Sequence, residues 1–314
     1  KIGLGVLVFL VIPNKESVDY VNPFIGTGGH GHTYPGATVP FGMLQVSPDN
    51  GISGWDWCSG YHYSDSITIG FSHLHLSGTG IGDLADIRLM PINKKVDLTK
   101  EIKSRDDIPY KSRYSHKEEI ASPGYYSVNL KDYNIKAELT SNLRTAFHKY
   151  TFLENDVQSV VLDLGFAINW DKSTGSKINI IDKTTISGYR NSEGWAKNQK
   201  VFFVVKFSKP IEKFELVNDG SYKIDITSVE GEKSFAQLFF SSEKSNELLV
   251  KVAVSSVSEE NALENLSKEE VDFDKVKMEA TETWNKNLSK INVESDNEDL
   301  KTTFYSALYH TQIA

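Results

Sequence analysis

The stretch with the richest side-chain chemistry is residues 54–63, which read Gly-Trp-Asp-Trp-Cys-Ser-Gly-Tyr-His-Tyr. Two indoles, phenols, a carboxylate, a thiol and an imidazole stand here between residues that favour turns over a helix. Aromatic faces cover the apolar C–H face of a sugar ring, while Asp and His side chains hydrogen-bond its hydroxyls. This mixture predicts a polyol pocket, with Trp55, Asp56, Trp57, Cys58, Tyr61 and His62 as candidate contacts.

A purely structural alternative exists for the same residues. The tryptophans would plug one end of a β-sandwich, and Asp56 would cap a turn. In an extended chain Asp56 and Trp57 point opposite ways, so both would not face one sugar. Cys58 is interpreted as a small buried residue rather than a reactive thiol, because there is no second cysteine and the only basic neighbour is His62.

Two glycine- and histidine-rich segments flank this stretch. Residues 26–36 contain five glycines and lack a following Gly-Lys-Ser/Thr, so they predict a pocket rim, with His30 or His32 available for a hydroxyl, rather than a phosphate loop. Residues 70–80 contain His73 and His75. Together with His30, His32, Asp83 and Asp86, these two imidazoles could form a transition-metal site. The alternative is that His73 and His75 point to opposite faces of a strand, one inside and one in a loop.

Composition narrows the partners. The 314 residues contain 34 basic and 42 acidic side chains, for a net charge of -8, with no basic patch to follow a nucleic-acid backbone. A single cysteine excludes an intrachain disulfide and a multi-cysteine zinc site. The apolar run at residues 2–12 is shorter than the roughly 20 residues of a membrane span. Residues 1–13 are therefore predicted to be part of a signal peptide, which implies a secreted or periplasmic protein without a membrane anchor after cleavage; the alternative is a buried first strand.

The sequence pattern of residues 125–255 predicts a series of short β-strands. Tyr126, Val128 and Leu130 alternate with polar residues, as do Ile135, Ala137 and Leu139 after a turn, so this segment predicts a hairpin with one buried face. Many short strands with turn signals between them predict an antiparallel β-sandwich. The charge-dense residues 94–119 predict an exposed excursion. A loop tryptophan, Trp195, is equally consistent with core packing and with ligand contact.

The periodicity changes to that of helices after Ser258. Val276, Ala280 and Trp284 recur at four-residue intervals and predict one buried helix face. The last segment is amphipathic and ends without a Gly, Lys or Pro exit signal, which predicts further helical structure beyond it. Its apolar stripe is expected to pack on those helices and comprises Leu300, Phe304, Ala307 and Leu308.

Five motifs make the chain recognisable: Val-Asn-Pro-Phe-Ile-Gly-Thr at residues 21–27, Tyr-Pro-Gly-Ala-Thr-Val-Pro-Phe-Gly at 34–42, Trp-Cys-Ser-Gly-Tyr-His-Tyr at 57–63, Gly-Phe-Ser-His-Leu-His-Leu-Ser-Gly-Thr-Gly at 70–80, and Phe-Tyr-Ser-Ala-Leu-Tyr-His at 304–310. Over residues 18–314 the sequence resembles the N-terminal part of glycoside hydrolase family 92, the calcium-dependent exo-α-mannosidases.

The resemblance implies a mostly β chain. Its expected parts are a partial signal peptide (residues 1–13), a galactose-mutarotase-like antiparallel β-sandwich (14–256), a helical linker (257–296) and the first helix of a truncated (α/α)6 barrel (297–314). In the family the catalytic acid, the base and most calcium ligands belong to that barrel. No catalytic or metal-binding residue is therefore assigned to this chain, and the distal-sugar contacts are expected largely in the barrel.

The implied function is removal of terminal α-linked mannose from glycans by an inverting, calcium-assisted mechanism, with this domain supplying part of the mannose pocket and packing against the barrel. The alternative is a non-catalytic carbohydrate-binding module. The implied partner is a mannose-containing glycan, and nucleic acid is not expected. The predicted substrate-binding residues are Phe24, His30, Trp55, Asp56, Trp57, Cys58, Tyr61, His62 and His73.

Overall fold

The computed structural model describes residues 15–153, 157–243, 245–267 and 272–313, so the predicted signal peptide lies outside the described residues. Within these residues the strands are β1 (Ser47–Asp49), β2 (Ile67–Thr68), β3 (Gly70–Ser72), β4 (Arg88–Ile92), β5 (Ser112–Arg113), β6 (Glu119–Ser122), β7 (Tyr125–Leu130), β8 (Ile135–Ser141), β9 (Thr145–Phe152), β10 (Gln158–Asp163), β11 (Lys172–Ile180), β12 (Thr185–Glu193), β13 (Gln199–Phe207), β14 (Ile211–Asn218), β15 (Ser221–Lys223), β16 (Ser228–Gly231), β17 (Ser234–Phe240) and β18 (Glu247–Ser255).

Two large sheets form the sandwich. The order in one is β1-β3-β4-β10-β17-β14-β15 and in the other β16-β11-β12-β13-β18-β9-β8-β7-β6, while β2 and β5 form a small pair of their own. The strand pairs are antiparallel. Apolar side chains of both large sheets belong to one continuous buried cluster. The predicted antiparallel β-sandwich is confirmed.

The hairpin of β7 and β8 shows why the pattern was readable. Tyr126 lies opposite Leu139, Val128 opposite Ala137 and Leu130 opposite Ile135. All six side chains are buried. Because alternate residues of a strand share one face, a correct register places the whole apolar set in the core, and a slip by one residue would expose it.

Three helices follow the sandwich in the described residues: α1 (Glu259–Ser267), α2 (Phe273–Leu288) and α3 (Glu298–His310). The predicted face of α2 is confirmed, since Val276, Ala280 and Trp284 are all buried. Side chains of Asp272 and Asn297 accept backbone N–H bonds at the starts of α2 and α3, as helix N-caps do. None of the described helices is both long and apolar enough to cross a membrane.

Helix α3 packs through two buried tyrosines and through part of its apolar stripe. Tyr305 and Tyr309 are buried in a second cluster with Trp284 and residues near the start of the described chain, and the half-buried Phe304 and Leu308 pack against that cluster. Polar contacts fix the same interface: the Tyr34 hydroxyl donates to the carbonyl of Ile313 at 2.9 Å. Helix α3 therefore positions the glycine-rich segment, whereas the other two residues of the predicted stripe are exposed.

The prediction of an exposed excursion at residues 94–119 is wrong in part. Its side chains Val96, Leu98, Ile108, Tyr110 and Tyr114 are buried in the main cluster. The charged residues between these positions point outward, and the irregular spacing of the apolar ones matches neither a helical nor a strand period. The segment covers one side of the sandwich core.

Two histidines between the sheets form a buried relay. The Tyr150 hydroxyl lies 2.7 Å from Nδ1 of His148, the two Nε2 atoms of His148 and His73 are 2.9 Å apart, and Nδ1 of His73 lies 2.5 Å from the carbonyl of Ile87. That carbonyl can only accept, so His73 carries its proton on Nδ1, His148 donates from Nε2, and Tyr150 donates to His148. Both imidazoles are neutral in this chain of donors.

Burial lowers the pKa of His73 to about 3 and that of His148 well below its usual value. An extra proton would leave two N–H groups facing each other. Because both pKa values lie below those of the unfolded chain, the unfolded state takes up the protons first, and stability falls as the pH drops below about 6.5.

We predict that between pH 7.5 and pH 5 the titration of His73 alone costs about 2 kcal/mol of unfolding free energy. A double variant, His73→Gln with His148→Gln, keeps one donor and one acceptor at each position without the titration. Its urea-unfolding free energy should fall less over this range than that of the wild type, provided that circular dichroism shows both to be folded at pH 7.5. Equal pH slopes would contradict the relay.

Candidate functional site

Trp55 is the exposed aromatic face at the centre of the predicted pocket stretch. It opens a short 3-10 helix, Trp55–Trp57, and 54% of its surface is accessible. Its indole Nε1 donates to the carbonyl of Gly80 at 3.1 Å. A Cβ at Gly80 would lie 2.4 Å from that nitrogen, so only glycine permits this approach. The indole is thus held by its edge while a face remains open.

A carboxylate and two imidazoles surround Trp55. Asp56 Oδ1 lies 2.6 Å from Nδ1 of His30 and 3.7 Å from Nε2 of His32. The His32 ring meets the indole edge-on with 4.2 Å between centroids. His32 is buried, and its Nε2 has no hydrogen-bond partner among the described residues. We call His30, His32, Trp55 and Asp56 the Trp55 cluster.

The charge of Asp56 is set by its neighbours. The hydrogen bond from His30 lowers the pKa of the Asp56 carboxyl, and the electrostatic interactions of Asp56 with His30, His62 and His32 act in the same direction. Asp56 is therefore an ionised acceptor at neutral pH. A carboxylate beside an open indole can accept hydroxyl hydrogens from a ring stacked on that indole.

Trp57 and His62 contact each other and form hydrogen bonds outside the Trp55 cluster. The indole Nε1 of Trp57 donates to Asp65 at 3.2 Å, and its ring lies 4.6 Å from that of His62. His62 uses both nitrogens, one toward the Ser64 hydroxyl at 2.8 Å and one toward the carbonyl of Gly29 at 3.1 Å. Of the two tryptophans, Trp55 is thus the one beside Asp56 and His30, and His62 anchors the glycine-rich loop.

Two predicted contacts lie in the core rather than at the surface. Tyr61 is fully buried and donates to Glu119 at 3.1 Å, and burial raises the pKa of its phenol well above the usual value. His73 is fully buried in the relay described above. Neither side chain reaches the Trp55 surface, so a direct sugar contact by either is not supported, because buried polar groups must be paired inside.

Cys58 lies next to the Trp55 cluster, whereas the ring of Phe24 contacts Tyr63. Phe24 is half-buried and meets Tyr63 edge-on at 5.7 Å, and the next residue, Ile25, accepts a bond from His310 of α3 at 2.9 Å. The thiol of Cys58 is buried and donates to the carbonyl of Thr79 at 3.2 Å. The structure brings together Trp55, Asp56 and His30 at the surface, with Cys58 beneath them.

Comparison with known proteins gives the chain its relatives. The glycosyl hydrolase family 92 N-terminal domain matches residues 20–255, and the glycosyl hydrolase family 92 catalytic domain matches residues 261–314. The chain belongs to glycosyl hydrolase family 92. The predicted family is thereby confirmed, and the fold corresponds to the family's β-sandwich followed by the start of its helical domain.

Among solved structures, the chain resembles a family GH92 α-mannosidase from Bacteroides thetaiotaomicron in complex with mannoimidazole, with 35% identity, a TM-score of 0.89 and 95% of this chain covered. It also resembles an inverting mannosidase of that family and organism, with 30% identity, a TM-score of 0.81 and 95% coverage. The chain spans 40% and 39% of their lengths. A protein named as an uncharacterized secreted glycosidase, from Arthroderma benhamiae, is 25% identical over 99% of this chain and 43% of its own length.

Calcium is the metal ion that the family resemblance implies. The described residues contain no group of three or more His, Cys, Asp or Glu side chains that could hold a metal ion. The carboxylate nearest Trp55, Asp56, is engaged with imidazoles, whereas calcium prefers oxygen ligands. The described residues around Trp55 therefore do not fit a calcium ion.

Of the residues around the site, His32 was predicted only as an alternative to His30, and Gly80 and Tyr63 were not predicted as site residues. His32 contacts the indole directly, Gly80 receives its N–H, and Tyr63 stacks on His116 with 4.1 Å between centroids. The signal for His32 was present, since it lies two residues from His30 in the same glycine-rich loop. Gly80 had no local signal, because its role depends on an approach across 25 residues of sequence.

We predict that the Cys58 thiol is inert in the folded protein. Burial raises its pKa to about 11, so its thiolate fraction at pH 8 is about 100-fold below that of an unfolded cysteine. Iodoacetamide alkylation, followed by mass spectrometry, should be slower by at least this factor in buffer than in guanidinium chloride. Similar rates in both solvents would show that the thiol is open to the solvent.

Proposed function

We propose that this chain is the sugar-contacting domain of a secreted exo-α-mannosidase that trims terminal mannose from glycans. The observation that carries the proposal is the open face of Trp55 beside the Asp56–His30 pair, because it joins a stacking surface to a charged acceptor for hydroxyls. The mannosidases among the solved relatives support the substrate class, and the secreted relative and the signal-like residues 1–13 support secretion.

In this proposal the chain binds and orients the sugar. Trp55 covers the apolar face of the terminal mannose, Asp56 accepts from its hydroxyls, and His30 holds the carboxylate in its ionised form. An inverting glycosidase needs two carboxyl groups about 6.5–9.5 Å apart. One is the acid that protonates the leaving oxygen, and the other is the base that activates a water molecule. We infer that these groups, and the ligands of a calcium ion, are supplied by the helical catalytic domain, of which residues 261–314 match a part.

One observation favours a second function, a non-catalytic carbohydrate-binding module. The Trp55 cluster and its supports all belong to the described residues of this chain, so the sandwich presents a stacking surface on its own. The two functions differ in the need for a partner domain: a binding module would hold a mannoside by itself, whereas an enzyme domain becomes active only when joined to the groups that transfer protons.

We predict that the 314-residue chain alone hydrolyses no α-mannoside. Among the described residues, the carboxylate of the Trp55 cluster is Asp56, and its lowered pKa does not suit it to the role of a general acid. The assay is release of mannose from α-linked mannobioses, with and without calcium, using a family 92 enzyme as the positive control. Calcium-dependent release by the purified chain would refute the prediction.

A second prediction concerns Trp55 in a catalytically complete protein, made by joining residues 15–313 to the remaining catalytic domain of a solved relative. Trp55→Ala should remove a stacking contact of about 1–3 kcal/mol, by analogy with base–aromatic stacking. The expected result is a loss of about five-fold or more in kcat/KM for p-nitrophenyl α-mannoside, partly restored by Trp55→Phe.

Tyr222→Ala, an exposed aromatic on the edge strand β15, is the matched control and should leave kcat/KM unchanged. A loss shared by kcat and kcat/KM would show that the contact forms in the transition state, whereas a rise in KM alone would show uniform binding. An unchanged kcat/KM in Trp55→Ala, with an unchanged melting temperature, would remove Trp55 from the mannose site.

A further inference from the structure

Three of the five tryptophans are exposed on neighbouring loops. Trp55, Trp170 and Trp195 present 54%, 53% and 69% of their surfaces. No other large apolar side chain is exposed in residues 79–86, 164–171 or 193–199, all of which the structure describes. Large side chains of this type normally cover a core or a ligand, so three exposed indoles on these loops indicate a binding surface.

The three tryptophan loops meet on one short segment, residues 80–83. Gly80 accepts the indole N–H of Trp55, Gly82 packs against Asn169, where a Cβ would lie 2.3 Å from Nδ2, and Asp83 Oδ2 accepts the N–H of Ala196 at 2.8 Å. Asn169 and Ala196 each adjoin one of the other tryptophans. Three Cα–Cα steps of 3.8 Å separate Gly80 from Asp83 by about 11 Å at most, so the anchors of all three indoles are close together.

A buried guanidinium holds these loops. Arg190 of β12 pairs with Asp86 and lies 2.7 Å from Asp171 Oδ2, and it donates to the carbonyl of Phe166 at 2.6 Å. Gln199 of β13 donates to the other oxygen of Asp86 at 2.5 Å. The loops that carry Trp170 and Trp195 are therefore linked by ion pairs and hydrogen bonds to the segment that holds Trp55.

The surroundings of Trp195 favour a sugar over a protein partner. Its loop neighbours Lys197 and Asn198 are exposed, and Glu193 is half-exposed. Behind it lies Asp171, a buried residue whose Oδ1 has no hydrogen-bond partner among the described residues. Isolated aromatic faces between hydrogen-bonding groups match the alternation of C–H faces and hydroxyls on a saccharide, whereas a protein partner would favour a contiguous apolar patch.

We propose that Trp170 and Trp195 form a distal-sugar subsite, which stacks on the residues of an α-mannose oligosaccharide that follow the terminal mannose. The assignment of the terminal sugar to Trp55 rests on the proposed function. The subsite itself belongs to this chain, contrary to the expectation that distal contacts lie largely in the barrel. It gives the domain affinity for long glycans rather than for mannose alone.

The test is an NMR titration of the 314-residue chain with α-1,2-, α-1,3- and α-1,6-linked mannotetraose. At least one tetraose should bind, and Trp170→Ala and Trp195→Ala should each raise its Kd about five-fold or more, the scale of one lost stacking contact. Trp170→Phe and Trp195→Phe should recover part of the affinity, and Tyr222→Ala should bind as the wild type does. Melting temperatures of all variants establish that they are folded.

Absence of tetraose binding by the wild type, or wild-type affinity in both alanine variants, would overturn the subsite. A second outcome would also overturn the subsite: no saccharide binds, and light scattering shows a dimer that Trp195→Ala abolishes. The exposed indoles would then be a contact between two copies of the chain. The proposed function fails separately: in the completed enzyme, hydrolysis of the one-sugar substrate p-nitrophenyl α-mannoside depends on Trp55 but should not change in Trp170→Ala or Trp195→Ala.

Discussion

The arrangement of the tryptophan loops depends on the buried charge of Arg190. A guanidinium that is about 1% exposed is stable only when fully paired. Burial lowers its pKa, but the carboxylates of Asp86 and Asp171 outweigh that effect and raise it. The same region contains Leu84, Ala85 and Ile87, all with positive φ. Such backbone is costly for residues other than glycine, so it persists because the charge pairs hold the segment in place.

The sandwich and its helices were predictable because their patterns are local. The alternation in β7 and β8 places each apolar residue opposite another, and the four-residue spacing in α2 gives one buried face. Residues 94–119 were misjudged for the opposite reason. Val96, Leu98 and Ile108 are buried by contact with strands distant in sequence. Their spacing among charged residues follows neither a helical nor a strand period, so the sequence pattern does not predict this burial.

The candidate site shows the same division between local and distant information. The composition of residues 54–63 pointed to Trp55 and Asp56, which lie together at the surface. The same stretch also pointed to Tyr61, and residues 70–80 pointed to His73. The partners of these two side chains, Glu119 and His148, lie 58 and 75 residues further along the chain. The sequence does not distinguish a polar aromatic residue that binds a ligand from one that pairs with a buried side chain. Only the fold separates the two cases.

The electrostatics of the Trp55 cluster suit binding rather than proton transfer. A general acid for glycoside cleavage needs a raised pKa so that it carries a proton at working pH. The hydrogen bond from His30 has the opposite effect on Asp56, whose pKa is lowered. An ionised carboxylate held by an imidazole is a strong and constant acceptor, which is what a hydroxyl of a bound sugar requires. The lowered pKa of Asp56 therefore fits the proposed division of roles, in which the sandwich binds the sugar and the helical domain transfers the protons.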